Sequence, residues 1–348
     1  MYFKKALLPA MAAALVGLFT GGFTARAADD AEDFYRGRTI SIYVGLPAGG
    51  DYDSYARLVA AHVGRFLPGS PSVIVQNMTG AGSLLAANYL YNVASQDGSA
   101  IGALSSNIAM QPLLDATGVK YDVLKFNWLP VVAASPNVLV VSQASPIKQF
   151  ADLHDRKAVL ATVAPGSSPT ITIGLYKHVL GARVRAILGY AGIQAAMLAV
   201  ERGEVDGYPT VPFDTLKRTY EQQWKSGKLR VLAISGSERN AELPDVPTME
   251  ELAASDDDRR LLRLATTSNR MTFNYVMGPG VPKNRVEAMR AAFMTMFDDA
   301  RFKEESEKQL LPVTPVAADK LEAIIRDAYA TPPEIVQRLQ KIVALQGN

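Results

Sequence analysis

Two short turns carry the residues best suited to chemistry in this chain. The first runs Leu46-Pro47-Ala48-Gly49-Gly50-Asp51-Tyr52-Asp53, and the second runs Ala164-Pro165-Gly166-Ser167-Ser168-Pro169-Thr170. Glycines let backbone N–H groups turn outward, and a helix N-terminus adds a partial positive charge. Such a turn holds an anion without any basic side chain. Other chemistry finds little material. There is no cysteine, so disulfides and thiolate metal sites are excluded, and His62, His154 and His178 stand in no metal-ligand spacing. Ser167 and Ser168 lack a Gly-x-Ser-x-Gly elbow. His178, on the same helix as Ser168, would lie about 15 Å further along the axis, too far for a triad. The turns read as binding devices, with an exported serine hydrolase as the alternative, and neither metal nor cofactor is expected.

The elements that must position these turns follow from the apolar pattern. Thr39–Val44 is β-branched or aromatic almost throughout, as in a buried strand, and Tyr55, Leu58, Val59 and Val63 recur at helical spacing behind the glycines. Asp51 or Asp53 can cap that helix. The same strand–turn–helix order returns at Ser72–Asn77, Met78–Ser83 and Leu84–Val93. A third strand, Ile101–Leu104, ends at Ser105-Ser106-Asn107. A second series begins with the strand Ala158–Val163, the hydroxyl-rich turn and a helix through Leu180, with Ser168 at the N-cap and Pro169 at the first helical position. Val184–Leu188 then leads to Gly189-Tyr190-Ala191-Gly192, and short strands follow at Val205–Tyr208 and Val231–Ser235. Asp256-Asp257-Asp258-Arg259-Arg260 reads as a solvated helix start, since acids suit that end of the dipole. Successive β–turn–α units imply mostly parallel sheets, whose carboxyl edges are where ligands bind.

Strand passes near residues 133–141 and 271–279 divide the chain into two α/β modules. The expected domains are 28–134 with 275–348 as the first, and 135–274 inserted as the second. Residues 1–27 have the layout of a secretory signal peptide: Lys4 and Lys5, an apolar run from Ala6 to Phe19, and Ala25-Arg26-Ala27 before the cut. The remaining chain has 33 basic and 34 acidic side chains, with no basic patch for nucleic acid. A near-neutral, cysteine-free, exported α/β protein fits the bacterial periplasm.

The order of these motifs resembles the extracytoplasmic receptors of tripartite tricarboxylate transporters, the TctC or Bug-type binding proteins. The carriers are Leu46–Asp53, Gln76-Asn77-Met78-Thr79-Gly80-Ala81-Gly82, Gln96-Asp97-Gly98, Gly166-Ser167-Ser168, Tyr190-Ala191-Gly192, Gly203-Glu204-Val205-Asp206 and Leu243-Pro244-Asp245-Val246-Pro247-Thr248. The resemblance spans nearly all of residues 34–348. It departs from the family at Leu46, where an aromatic is usual, at Thr170, where histidine is common, at Tyr208-Pro209-Thr210, and in a longer segment around Ser255–Asn269. It implies a type II-like periplasmic binding protein clamshell, two α/β domains joined by two hinge strands. It further implies a monomeric receptor that binds a small organic carboxylate and delivers it to integral membrane transporter subunits. A receptor serving a membrane signalling system is the other use of such a clamshell. Carried over, the carboxylate would meet Ala48, Gly49, Gly50 and Asp51 in the first turn and Gly166, Ser167 and Ser168 in the second. Leu46, Ser106, Asn107, Tyr190 and Tyr208 would shape the rest of the site, with Asp53 and Asp206 as capping or supporting carboxylates.

Overall fold

The structure, a computed structural model, describes residues 31–165, 167–236 and 238–347, with side chains through Leu345. The signal-peptide expectation, including cleavage after Ala27, and Gly166 lie outside the described residues. Two five-stranded sheets organise the chain. The first uses β1 (Thr39–Val44), β2 (Ser72–Asn77), β3 (Ala100–Ala103), β4 (Asn127–Trp128) and β10 (Tyr275–Met277) in the order β2-β1-β3-β10-β4. The second uses β5 (Asn137–Ser142), β6 (Ala158–Ala161), β7 (Val184–Ile187), β8 (Gly207–Pro212) and β9 (Leu229–Ser235) in the order β7-β6-β8-β5-β9.

The two orders are the same pattern. In each sheet three strands pair in parallel, and the fourth position is taken by a strand arriving from the other module, antiparallel to both neighbours: β10 in the first and β5 in the second. The sheets are therefore mixed, because a chain that crosses between modules must enter its new sheet against the direction of the βαβ strands. The crossings occupy 129–136 and 268–274, and residues 314–316 lie beside the first of them through bridges Val131↔Val316 and Ala133↔Thr314.

Both faces of the central strands are covered, which is why β3, β5 and β6 are almost continuously apolar. Along β5, Leu139 and Val141 enter one core with Leu160, Ile173 and Tyr176, while Val138 and Val140 enter the opposite core with Met197 and Val200. That split is the two-residue alternation of a strand. Ile40, Ile42 and Val44 of β1 pack against Leu58, Val59 and Val63 of α1 (Asp51–Val63) and against Met289 and Phe293 of α7 (Lys283–Asp298). The other helices used below are α2 (Leu84–Asn92), α3 (Ser168–His178), α4 (Ile193–Glu201), α5 (Phe213–Thr219), α6 (Asp256–Thr266), α8 (Ala300–Lys308), α9 (Ala318–Tyr329) and α10 (Pro333–Gly347). At α6, Ser255 is the N-cap and accepts from Asp258 N–H, so the acidic run is a capped helix start.

The last helix departs from the expected grouping. Leu321 and Ile325 of α9 belong to a core of the first module, but Ile335, Leu339 and Ile342 of α10 belong to a core of the second. Ala330, Thr331 and Pro332 separate the two helices, and the chain crosses a third time there. Gln340 Nε2 also donates to the Leu113 carbonyl, 2.7 Å away, and Met110 of the same first-module segment is buried in the second module's core.

Candidate functional site

The helix of the first turn begins at Gly50, not at an aspartate. Gly50 is the extended N-cap of α1, no side chain caps the helix, and Asp51 and Asp53 sit inside its first turn. Asp53 is directed back at the turn. Its Oδ2 accepts Gly49 N–H at 2.9 Å, and Arg57 donates Nε at 2.9 Å to Oδ2 and Nη2 at 3.0 Å to Oδ1. Asn77 Nδ2 adds a bond at 2.9 Å to Oδ1 and another at 3.1 Å to the Leu46 carbonyl. The Arg57 guanidinium, helped by Gly49 N–H and Asn77, holds this carboxyl at about 2. Gly49 has φ +82°, a conformation that side-chain-bearing residues rarely adopt. Asp53 thus clamps the turn while the helix N-terminus stays uncapped.

The second turn is built differently. Ser167, in extended conformation, is the N-cap of α3, which shifts Ser168 and Pro169 to the first two helical positions. Thr170 Oγ1 donates to the Ala164 carbonyl at 2.7 Å and accepts from the Thr162 and Ser167 hydroxyls at 2.6 and 2.9 Å. With its single proton given to Ala164, Thr170 can only accept from the other two. The Ser167 proton is therefore committed inward, and Ser167 makes no cap bond to the helix. What this turn offers outward is the Ser168 hydroxyl and the free N–H groups of the first helical turn.

Asp51 of α1 and Ser168 of α3 line one cavity of about 780 Å³ between the modules, within the size range of small-ligand sites. Ser106 and Asn107 line it from the end of β3, Ser135 and Asn269 from the crossings, and Asn137 from the start of β5. Tyr52 and Phe273 form an aromatic wall with ring centroids 4.9 Å apart, extended by Tyr55 at 3.9 Å from Phe273. The Tyr52 hydroxyl accepts Ser106 N–H at 3.1 Å, and the Tyr55 hydroxyl donates to the Pro312 carbonyl at 2.7 Å. Burial pushes both phenols above their ordinary range, so they stay neutral. We expect Tyr52→Phe to strand Ser106 N–H at a cost of about 1 kcal/mol, a fall of about 2–4 °C in melting temperature. An unchanged melting curve would show that this bond contributes nothing.

The structure brings together only part of the expected set. Asp51, Ser106, Asn107 and Ser168 line the cavity. Ala48, Gly49 and Gly50 lie just outside it on the exposed turn, and Leu46 is half-buried against the first core. Tyr190 is half-buried beside the second turn, with its N–H on the Thr162 carbonyl at 3.3 Å, away from the lining. Tyr208 is buried behind its sheet with Val140 and Val200, where apolar packing takes the ring. Asp206 accepts Val159 N–H at 2.7 Å and joins β6 to β8. It stands six residues before Pro212, the cavity-lining end of β8, about 20 Å at strand rise. Tyr52, Tyr55, Phe273, Asn269 and Arg218 line the cavity without having been singled out from sequence. Tyr52 and Tyr55 flank Asp53 within the first motif, so helical spacing from Gly50 was a usable signal. For Phe273 and Arg218 there was none, because the hinge and the end of α5 converge only in the folded chain.

Two α/β modules with matching sheets, joined by strand crossings and closed over a cleft into which two uncapped helix N-termini open, define a clamshell binding protein. Residues 55–341 match the profile of the tripartite tricarboxylate transporter family receptor, TctC, and the chain belongs to that family. The family is one of substrate-binding receptors, not enzymes. A curated relative, the UPF0065 protein in the gbd 5′ region of Cupriavidus necator, is 27% identical over 82% of this chain and 83% of its own. A TctC solute-binding protein from Polaromonas has the same fold at TM-score 0.67 and 19% identity, covering 87% of this chain and 99% of its own. Rpa4515 of R. palustris, solved with adipate, aligns at TM-score 0.56 and 18% identity over 88% of this chain and 97% of its own.

Proposed function

We propose that this chain is a periplasmic receptor, acting as a monomer. It captures a small organic carboxylate between its modules and presents it to the membrane subunits of a tripartite tricarboxylate-type transporter. One observation carries the reading: the starts of α1 and α3, neither capped by a side chain, open into the same cleft from opposite modules. Unsatisfied N–H groups and two helix dipoles at one cleft suit a carboxylate. The adipate carried by a protein of the same fold is in keeping with this chemistry. The hydrolase alternative has no support at the second turn, where the Ser167 hydroxyl faces Thr170 with no histidine among its bonding partners in the described residues.

The test is a thermal-shift screen of the exported form against mono- and dicarboxylates, hydroxy acids, aromatic acids and amino acids, with calorimetry on each hit. A binder at a hundred times its Kd adds about 2.7 kcal/mol, a rise of about 5–10 °C. Stabilisation by a carboxylate, lost on Ser168→Tyr, is expected. Silence across all the acids overturns the reading.

A further inference from the structure

Each sheet has two edges, and three of the four edges here are blunted. β4 is only two residues long. β7 carries the exposed Arg185, with Arg183 just before it, and β9 carries Arg230 and is covered near its end by the bridge Ile234↔Thr248. Short strands, charges and covering segments are the common protections against a further strand. β2 has none of them. It runs six residues, Ser72-Val73-Ile74-Val75-Gln76-Asn77, and among the described residues it pairs with β1 alone. Ser72 and Met78 N–H donate to the Arg38 and Val44 carbonyls at 3.1 and 2.8 Å. Alternate residues of a parallel strand face opposite neighbours, so Val73, Val75 and Asn77 turn their backbone N–H and C=O groups outward. Among the described residues nothing bonds to those groups.

Charge and position say what fits this edge. Residues 66–96 hold no acidic or basic side chain, in a chain where 20% of residues are charged, and the exposed Ile74, Leu85 and Val93 all fall within them. Val73 and Val75 pack against the core beneath α1, so Ile74 and Gln76 point to the opposite face, where Gln76 Nε2 donates to Ser41 Oγ at 3.1 Å. The charged side chain that reaches the strand is Arg57, 3.4 Å from Asn77 Oδ1 and already paired with Asp53. β2 ends on Asn77, whose amide holds both Asp53 and the Leu46 carbonyl of the first turn. A strand added here meets the residue that steadies the anion-holding turn, which suits a partner that takes over the ligand. Resting on the transporter-receptor reading, we propose that the free edge of β2 is where the membrane subunits dock. One subunit supplies an uncharged extended segment that pairs with Val73, Val75 and Asn77 and sets an apolar side chain beside Ile74. Backbone bonds give such a contact its affinity, and the side chains beside Ile74 give it selectivity. A charged segment would be left without a counterpart along this neutral stretch.

The experiment mixes the full exported chain with the large and small membrane subunits of the tripartite-type transporter of its own organism, reconstituted together in lipid nanodiscs. Binding and backbone hydrogen exchange are measured without ligand and with each acid of the thermal-shift panel. Peptides covering residues 72–77 should exchange about ten-fold or more slowly in the complex. Ile74→Lys should weaken binding about ten-fold or more, because a lysine on the strand opposes pairing, while Ile74→Val stays within about two-fold. Ile74 is 44% exposed, so both variants should keep the melting temperature and the carboxylate affinity of the unmodified chain. Gln76→Lys places the same charge at a second exposed position, so a folding defect in one variant does not decide the result. Binding that survives both lysines, or exchange along β2 that does not slow, overturns the docking edge and leaves the transporter reading intact. Self-association of the unmodified chain that Ile74→Lys abolishes assigns the edge to a second copy and also overturns it. If the unmodified chain binds the subunits under no condition, the transporter reading fails and the docking edge with it.

Discussion

Asp53→Ala should lower the melting temperature by about 5–12 °C and remove carboxylate binding, although Asp53 does not line the cleft. The residue is 2% exposed, and its carboxylate holds Gly49, Arg57 and Asn77 together. Truncation leaves Gly49 N–H without its acceptor, removes one of the two bonds of the Asn77 amide, and releases a turn held at positive φ. Deleting one member of a buried charge pair costs about 3–5 kcal/mol; Arg57 is 55% exposed on its side of the pair, so about 2–4 kcal/mol is expected here. The pH dependence has a definite sign. The folded carboxyl titrates at about 2 and an unfolded aspartate at about 3.9, so the stabilisation is complete above about pH 4. It is lost as pH falls toward 2, because the proton then binds the unfolded chain first. Melting temperatures between pH 2 and 6 should show a steep acid limb that Asp53→Asn flattens. Parallel curves for the two proteins would mean that Arg57 and Asn77 hold the turn without the carboxylate.

Gly207→Ala should be at least as damaging to stability. Gly207 begins β8, and a Cβ there would press into the Val140 carbonyl oxygen of the neighbouring strand and stand 2.9 Å from Val141 Cγ1. The first obstacle is backbone, which a rotamer change cannot move. Relief would require parting β8 from β5 at the middle of the sheet, where Tyr208 pairs with Val140 and Gly207 with Val141. About 3 kcal/mol or more is expected, some 6–12 °C in melting temperature, with carboxylate affinity near normal in whatever remains folded. A melting temperature within about 2 °C of the unmodified protein would show that the strands part easily there.

These two residues also mark what can and cannot be read from the chain alone. The architecture was legible because each strand and helix advertises itself locally: Val138–Val141 must be covered on both faces, and Tyr55, Leu58, Val59 and Val63 must share one. The two glycine- and serine-rich turns were legible for the same reason, and Asp51 and Ser168 do meet at the cleft. Roles were harder. Asp206 and Tyr208 share a motif with Gly207, yet the motif serves strand joining, a task that leaves the same polar signature as ligand binding. Leu46 leaves out the aromatic usual at that position, and an aromatic wall comes instead from Tyr52 and Phe273, a helix start and a hinge 221 residues apart, a pairing that only the strand order creates. The crossing after α9 was hidden because the apolar stripe of α10 states that a core is near without saying which.

That crossing has a mechanical consequence. Two neighbouring ribbons alone would let the halves of the molecule bend, twist and slide. α10 is fixed in one half by Ile335, Leu339 and Ile342 and is pinned to the other through Gln340 and Leu113. A third tether away from the ribbons restrains how the halves can bend, twist or slide against each other. The tail is thus part of the joint between them.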